Sequence, residues 1–230
     1  MIKKFGILLT VLLAAGCGSL SEEEITEEVS SAASNVNQYE MEITTSSVDE
    51  DIQDNEYSMN IDLENQTGYI TSIIRNNEKT VNSELYYDET DVFERYDEEE
   101  WVENPISVED MHASYFIDYE VIAGVLEFIQ PFEETEFESS ENTYNFSYQT
   151  SDPDEAEALL NNWGFIIEDG TTVEDAQIDI KINQDTFYIE DIQLGYSMVY
   201  DNGFELENTQ SIEYNNYNDA PAVEKPDSLN

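Results

Sequence analysis

A period-two alternation of apolar and polar residues constrains the fold of this chain more than any other feature of its sequence. It appears first at Tyr39–Thr44 and returns, among other places, at Tyr57–Leu63 and Ile178–Ile182. Such a pattern is typical of strands with one buried and one solvated face. Turn-forming residues such as Asn65–Gly68 and Asn202-Gly203 join the segments, which predicts consecutive antiparallel strands. The predicted strands are 39–44, 57–63, 69–75, 79–87, 91–96, 101–102, 135–138, 143–149, 178–182, 187–200 and 204–214, with an acidic loop at 48–55.

Three segments have the spacing of helices instead. Ser21 with Glu24 three residues later forms a capping-box pattern, and apolar residues at intervals of three and four follow it, which predicts a helix over 21–36. The two later helical segments are 108–129, which should break into two helices near Asp118 or Gly124, and a segment that begins at Asp152-Pro153 and is closed by Gly164.

The chain is strongly acidic, with 54 Asp and Glu residues against 7 Lys and Arg residues and a formal net charge of −47. This charge excludes nucleic acid as a partner, because no basic surface is available to bind phosphates. A high net charge also favours disorder. However, 40% hydrophobic and 12% aromatic residues at regular spacings predict a folded domain with an acidic surface.

The acidic surface has two interpretations. The first is a halophilic adaptation, because the Debye length falls to about 3 Å at 1 M salt and repulsion is then screened. The alternative is binding of a specific cation. Asp49–Asp54 has carboxylates at a calcium-like spacing, but it lacks the glycine and the final glutamate of the calcium-binding loop pattern.

The N-terminus has the pattern of a bacterial secretory signal. Lys3 and Lys4 precede an apolar run of 11 residues, and small residues lead to Cys17. The run is too short to span a bilayer, which requires about 20 residues. Leu13-Ala14-Ala15-Gly16-Cys17 resembles the lipobox of bacterial lipoproteins. A signal peptide with an incidental cysteine is the alternative.

The lipobox resemblance implies that residues 1–16 are removed and that Cys17, the only cysteine, carries acyl chains such as palmitate. The protein would then be lipid-anchored at the extracytoplasmic face of the cell membrane. The mature chain keeps five basic residues against 54 acidic ones, a net charge of −49. Anionic lipids would repel such a protein, so anchorage would depend on the two acyl chains.

The remaining length suits one domain of ordinary size. The predicted organisation is a signal peptide at 1–16, a lipidated tether at 17–20, a single domain at 21–217 and a polar tail at 218–230.

The order of helix, meander, helical insertion and further strands resembles the LolA/LolB and LppX/LprG group of bacterial lipoprotein and lipid carriers. The points of likeness are Tyr39–Ile43 after the first helix, Trp101-Val102 and the tail segment Tyr217–Pro221. The resemblance implies an α+β fold with a strongly curved antiparallel sheet, an open half-barrel, and helices packed on one side. It also implies a cavity between sheet and helices that accepts acyl chains or another hydrophobic ligand.

Seven apolar residues are candidates for the lining of such a cavity: Tyr57, Met59, Ile61, Tyr115, Ile122, Leu126 and Trp163. The same residues would serve equally well in a filled core. The protein would in that case be a cell-envelope interaction or sensor lipoprotein without a small-molecule ligand. An apolar pocket of at least about 300 Å³ would favour ligand binding, and a solid core would favour the alternative.

Catalytic signatures are missing from the sequence. It contains no Gly-x-Ser-x-Gly motif, no phosphate-binding loop and no Cys/His cluster. Its single histidine, His112, lies in an apolar helical segment, where a structural role is expected. We therefore expect no enzyme activity, no catalytic residues, no metal site and no cofactor.

Overall fold

The computed structural model describes residues 20–47, 54–75, 79–97, 99–115 and 119–229. Several sequence predictions lie outside the described residues. These are the signal peptide, the lipidation site Cys17, most of the tether, the acidic segment 48–53 and the turn at Asn76-Asn77.

In the described part of the chain, eleven strands lie in one antiparallel, open sheet. In chain order they are β1 (Gln38–Ser47), β2 (Asp54–Asp62), β3 (Thr67–Arg75), β4 (Thr80–Tyr87), β5 (Val92–Tyr96), β6 (Val102–Asn104), β7 (Glu136–Ser139), β8 (Thr143–Thr150), β9 (Thr171–Asn183), β10 (Ile189–Tyr200) and β11 (Glu205–Asn215). The spatial order is β6-β5-β4-β3-β2-β1-β11-β10-β9-β8-β7. Two meanders are thus joined in the middle by the pairing of β1 with β11.

The strand predictions are confirmed, with one instructive difference. β9 begins at Thr171, seven residues before the first alternating isoleucine, Ile178. Its pairing with β10 shifts register, so that Ser197 opposes Asp175 while Met198 opposes Val173. This irregularity places Val173 and Ala176, three positions apart, in the core, and it hides the period-two pattern.

The described residues form four α-helices that bury side chains against the same sheet face: α1 (Glu22–Ala33), α2 (Val108–Ser114), α3 (Tyr119–Ile129) and α4 (Pro153–Asn162). α1 and α4 both contact α3, and α4 also contacts β8 and β9. The predicted α+β class, an open antiparallel sheet with helices on one side, is confirmed. Within the described residues, no helix has the length and apolarity required to cross a bilayer.

The capping signals explain where the helices begin and end. The Ser21 hydroxyl accepts from the Glu24 amide at 3.3 Å, and the Ser21 amide donates to Glu24 at 2.8 Å, as the capping box predicts. α1 ends at Ala33 instead of residue 36, where side chains of Ser34 and Asn35 bond the Ser31 carbonyl.

The long helical segment forms two helices, as predicted: α2 ends at Ser114 and α3 begins at Tyr119, while Asp118 lies outside the described residues. Gly124 instead stays within α3. At α4, Asp152 caps the helix with Pro153 in its first turn, and Gly164 follows with φ +97°. This agrees with the predicted start and end of the third helical segment.

A cluster of four tyrosines closes one end of the space between sheet and helices. We name Tyr39, Tyr119, Tyr214 and Tyr217 the tyrosine cluster; their ring centroids lie 5.4–6.4 Å apart. The Tyr119 hydroxyl accepts from the Ile189 amide at 2.7 Å, and the Tyr217 hydroxyl donates to the Ile189 carbonyl. Strands, helix and C-terminal segment are thereby packed together at this closed end.

The predicted polar tail is attached to the domain by several polar contacts. The Asn218 side chain accepts from the Asn37 amide at 2.7 Å, and Asn60 donates to the Pro221 carbonyl at 2.9 Å. Lys225 pairs with Asp88 at 3.3 Å and lies over the Tyr86 ring. The tail therefore follows the sheet from β1 toward β4.

Candidate functional site

An apolar pocket of about 210 Å³ lies between the sheet and the segments that follow α2 and α4, and it is open to solvent on one side. We name it the open-end pocket. Four neighbouring strands, β1, β2, β10 and β11, contribute to it. Its lining consists of Ile43, Thr45, Tyr57, Met59, Tyr115, Phe165, Tyr196 and Gln210.

Strand register brings the sheet residues of the pocket together. Ile43 pairs with Tyr57 across β1 and β2. Thr45, two residues further along the same face of β1, pairs with Gln210 of β11. Because side chains alternate between faces, residues two positions apart line the same pocket wall. The pocket is thus an extension of the sheet face that forms the core.

Two aromatic pairs form the other walls. Tyr115, at the end of α2, packs edge-on against Tyr57 with ring centroids 6.2 Å apart. Phe165, just after α4, packs edge-on against Tyr196 at 5.2 Å. Such rings supply apolar area at a small entropic cost. Each pair joins a strand to a chain segment outside the regular helices. The pocket is therefore bounded by loops, whereas the closed end is bounded by α3.

The described residues that line the pocket carry no charge. Burial raises the pKa of Tyr57, Tyr115 and Tyr196 above the ordinary tyrosine value, so all three are neutral at physiological pH. Two other depressions of the described surface contain carboxylates: one is lined by Glu174, Asp175, Glu205 and Glu207, the other by Glu42 and Glu56. In a chain with a net charge of −47, the open-end pocket is therefore a neutral, largely apolar environment.

The structure separates the seven candidate lining residues into two groups. Tyr57, Met59 and Tyr115 line the open-end pocket. The other four, Ile61, Ile122, Leu126 and Trp163, are buried in the core and outside the pocket lining. Ile61 pairs with Tyr39 of the tyrosine cluster, and Ile122 and Leu126 belong to the buried face of α3. Trp163 instead contacts the pocket residue Gln210 through its indole nitrogen at 3.2 Å.

Sequence reasoning missed five lining residues, although three of them follow the alternation. Ile43, Thr45 and Tyr196 continue the buried face of their strands. Gln210 left a signal too, because it is a polar residue at an inward position that precedes Ile212 and Tyr214. Phe165 lies outside the helices and strands, and no periodic signal could have found it.

The pocket is smaller than the size that the sequence argument set as decisive. Pockets for drug-sized ligands measure about 300–1,000 Å³, whereas this one measures about 210 Å³. It has room for one small apolar group or for the end of a longer chain, and its open side lets the remainder of a ligand lie outside.

Other chemistry finds little support in the described residues. His112 is half-buried and packs edge-on against Tyr87 with ring centroids 5.0 Å apart, which is a packing role. Within the described part of the chain, no three His, Cys, Asp or Glu side chains form a group that could hold a metal ion.

Comparisons with known proteins leave the chain without an assigned family. No protein-family model matches it, and no curated protein matches it. A LolA superfamily protein from Nitrosomonas europaea aligns with a TM-score of 0.30 and 9% identity, over 92% of this chain and 97% of that one. An S-type phycobiliprotein lyase from Guillardia theta aligns with a TM-score of 0.27 and 8% identity, over 89% and 95% of the two chains. Both TM-scores are too low to support a functional argument.

Proposed function

We propose that this protein is a lipid-anchored extracytoplasmic binding protein that holds an uncharged, hydrophobic ligand in the open-end pocket. The observation that carries the proposal is that none of the described residues lining the pocket is charged, on a chain whose surface is strongly acidic. Such a site favours neutral apolar groups and disfavours anions. The proposal includes no catalytic step. It includes the sequence resemblance to the LolA and LppX carriers.

The energetics of the site agree with a small or partly enclosed ligand. Apolar burial contributes about 25 cal/mol per Å², so roughly 200 Å² of contact yields about 5 kcal/mol. Immobilising the ligand offsets part of this gain. We therefore expect affinities in the millimolar range for a small probe and tighter binding for a ligand that extends beyond the pocket. Ile166, next to Phe165 and 91% exposed, offers apolar contact to such an extension.

Anchorage through Cys17 is proposed from the sequence. Ser21 caps the first helix only four residues after Cys17, and four residues span at most about 14 Å. A lipid on Cys17 would hold the domain close to the membrane. Cys17→Ser should release the protein from the membrane fraction. Retention of this variant after a high-salt wash would disprove lipid anchorage.

A second candidate function is that of an interaction or sensor lipoprotein with a filled core. One observation favours it: Ile61, Ile122 and Leu126, predicted to line a cavity, are packed in the core. In this case the open-end pocket would be a surface feature without a ligand.

Ligand binding is tested with N-phenyl-1-naphthylamine, a neutral probe whose fluorescence rises in apolar surroundings. The protein is the Cys17→Ser chain, which lacks the lipid and therefore needs no detergent. We expect saturable binding that is abolished by Thr45→Phe, because the added ring fills the pocket. Thr44→Phe is the matched control, since Thr44 is the adjacent residue on the opposite face of β1 and should leave binding intact. Equal binding by both variants would favour the filled-core alternative.

A further inference from the structure

Gln210 is a polar residue at an inward position of β11, where the alternation calls for an apolar one. It is 9% exposed and lies on the same face as Ile212 and Tyr214. A buried amide without hydrogen bonds costs about 1–3 kcal/mol. The hydrogen-bond partners of this side chain therefore indicate whether it stabilises the fold or is available to bind a ligand.

Trp163 fixes the orientation of the Gln210 amide. The indole Nε1–H of Trp163 donates to Oε1 of Gln210 at 3.2 Å. An indole nitrogen can only donate, so the oxygen of the amide must face Trp163 and the nitrogen must face away. Among the described residues, this is the single hydrogen bond that the Gln210 side chain makes. Both N–H groups of Nε2 are left without a partner in this part of the protein.

The unpartnered amide belongs to the pocket lining. Gln210 lines the open-end pocket, and so does Thr45, its direct neighbour across β1 and β11. The hydroxyl of Thr45 likewise has no hydrogen-bond partner among the described residues. The pocket thus combines apolar walls with one polar position that presents two amide N–H donors beside a hydroxyl.

We propose that the pocket recognises a neutral apolar molecule that carries a hydrogen-bond acceptor oxygen, such as an ester or ketone carbonyl. Nε2 of Gln210 donates to that oxygen, and Trp163 is the positioning residue that directs the donor into the pocket. A carboxylate is disfavoured, because the described lining residues include no cation and the chain is strongly acidic. This inference rests on the proposed function and narrows its ligand class to uncharged carbonyl compounds, as in esterified acyl chains.

The test uses two probes that differ by one carbonyl, indane and 1-indanone. Both are titrated by NMR into the full chain carrying Cys17→Ser, alone and combined with Gln210→Met, which keeps the length of the side chain but removes its donors. We expect Gln210→Met to weaken 1-indanone binding about tenfold, because the buried carbonyl is left unpaired. Indane binding should change by less than about twofold.

A positioning role for Trp163 has its own readout. Trp163→Phe removes the indole donor and keeps most of the aromatic volume. It should weaken 1-indanone about threefold and leave indane unchanged, since the amide is no longer held in one orientation. In the parent protein, 1-indanone and not indane should shift the side-chain amide resonances of Gln210. This spectrum requires no second substitution, so it remains informative even where a variant folds poorly.

The outcomes separate this inference from the proposed function. Equal weakening of both probes by Gln210→Met, or unchanged Gln210 amide resonances when 1-indanone is bound, would overturn acceptor recognition and leave hydrophobic binding standing. Failure of both probes to bind the parent chain would contradict the proposed function itself and the inference with it.

Discussion

The two ends of the space between sheet and helices are built from the same strands but are covered differently. At the closed end, α3 and the C-terminal segment bring Tyr119 and Tyr217 onto Tyr39 of β1 and Tyr214 of β11. At the open end, Tyr115 and Phe165 are the described residues that cover the next positions along β1 and β11. A continuous apolar sheet face is therefore filled at one end and accessible at the other. The comparison shows that the covering elements, and not the strands, determine where a ligand can enter.

The largest effect should come from removing a ring at the closed end. Tyr119→Ala deletes a fully buried ring and should lower the free energy of unfolding by about 3–5 kcal/mol. Tyr57→Ala, the matched change at the half-buried rim of the open-end pocket, should cost less than about half as much. Urea unfolding of both variants measures the difference. Equal losses would mean that the two ends are packed alike.

The second largest effect should be a loss of folding stability at alkaline pH, caused by the buried tyrosines of the closed end. Burial raises the pKa of Tyr119 to about 12, and burial also raises the pKa of Tyr214 and Tyr217 well above their ordinary value. An unfolded tyrosine titrates near pH 10, so the folded state is favoured fully below pH 10 and progressively less as pH rises toward 12. For Tyr119 alone the loss amounts to about 3 kcal/mol.

The measurement for this prediction is urea unfolding between pH 9 and 11.5, with phenolate absorbance recorded in parallel. Tyr119→Phe serves as the control, because it keeps the ring and should reduce the pH dependence. Titration of all the tyrosines near pH 10 with no loss of stability would contradict a packed tyrosine cluster.

Most of the architecture could be predicted from the sequence, because local signals specify it. Alternation gave the strands, the Ser21 capping box gave the start of α1, and Gly203, with φ +80°, ends the β10–β11 loop that the Asn-Gly pair indicated. The site could be predicted only in part. An apolar residue of the alternating pattern faces inward whether it packs against another side chain or lines a cavity. The sequence pattern therefore does not distinguish Ile61 from Met59.

The difference between those two residues is a matter of tertiary contacts. Ile61 lies beside Tyr39 at the closed end, whereas Met59 faces the open-end pocket. Phe165 was beyond prediction, since its position depends on how the segment after α4 returns to the sheet. The register shift in β9 was hidden for a similar reason, because an irregularity interrupts the pattern on which a strand prediction depends.

The smallest effect should come from the outer face of the sheet, opposite the face that packs against the helices. It concerns the part of β1 and β11 where the closed end meets the open end. Glu42, between Met41 and Ile43, lies directly opposite Glu213, which in turn lies opposite Asp191. Like charges in opposed positions of a sheet are destabilising by a few tenths to about 1 kcal/mol. Glu213→Gln should therefore stabilise the protein by about 0.5 kcal/mol at 0.1 M salt and by much less at 1 M, where charges are screened.

Thermal unfolding at both salt concentrations tests this prediction, with Glu224→Gln in the C-terminal tail as the control. Binding of N-phenyl-1-naphthylamine should be unchanged in Glu213→Gln, because Glu213 lies on the outer face of β11 and is not among the residues that line the pocket. A stabilisation that is equal at both salt concentrations would show that repulsion across these strands is not its cause.

The difference between the open and the closed end is tested most directly by locating a bound neutral probe. Isoleucine methyl spectra of the Cys17→Ser chain provide a reporter at each end: Ile43 lines the open-end pocket, and Ile189 contacts the tyrosine cluster through its backbone. Titration with N-phenyl-1-naphthylamine should shift the Ile43 methyl resonance and produce contacts between that methyl group and the naphthalene ring, while Ile189 remains unchanged. Shifts at Ile189 without shifts at Ile43, or no shift at either residue up to the solubility limit of the probe, would contradict a ligand site at the open end.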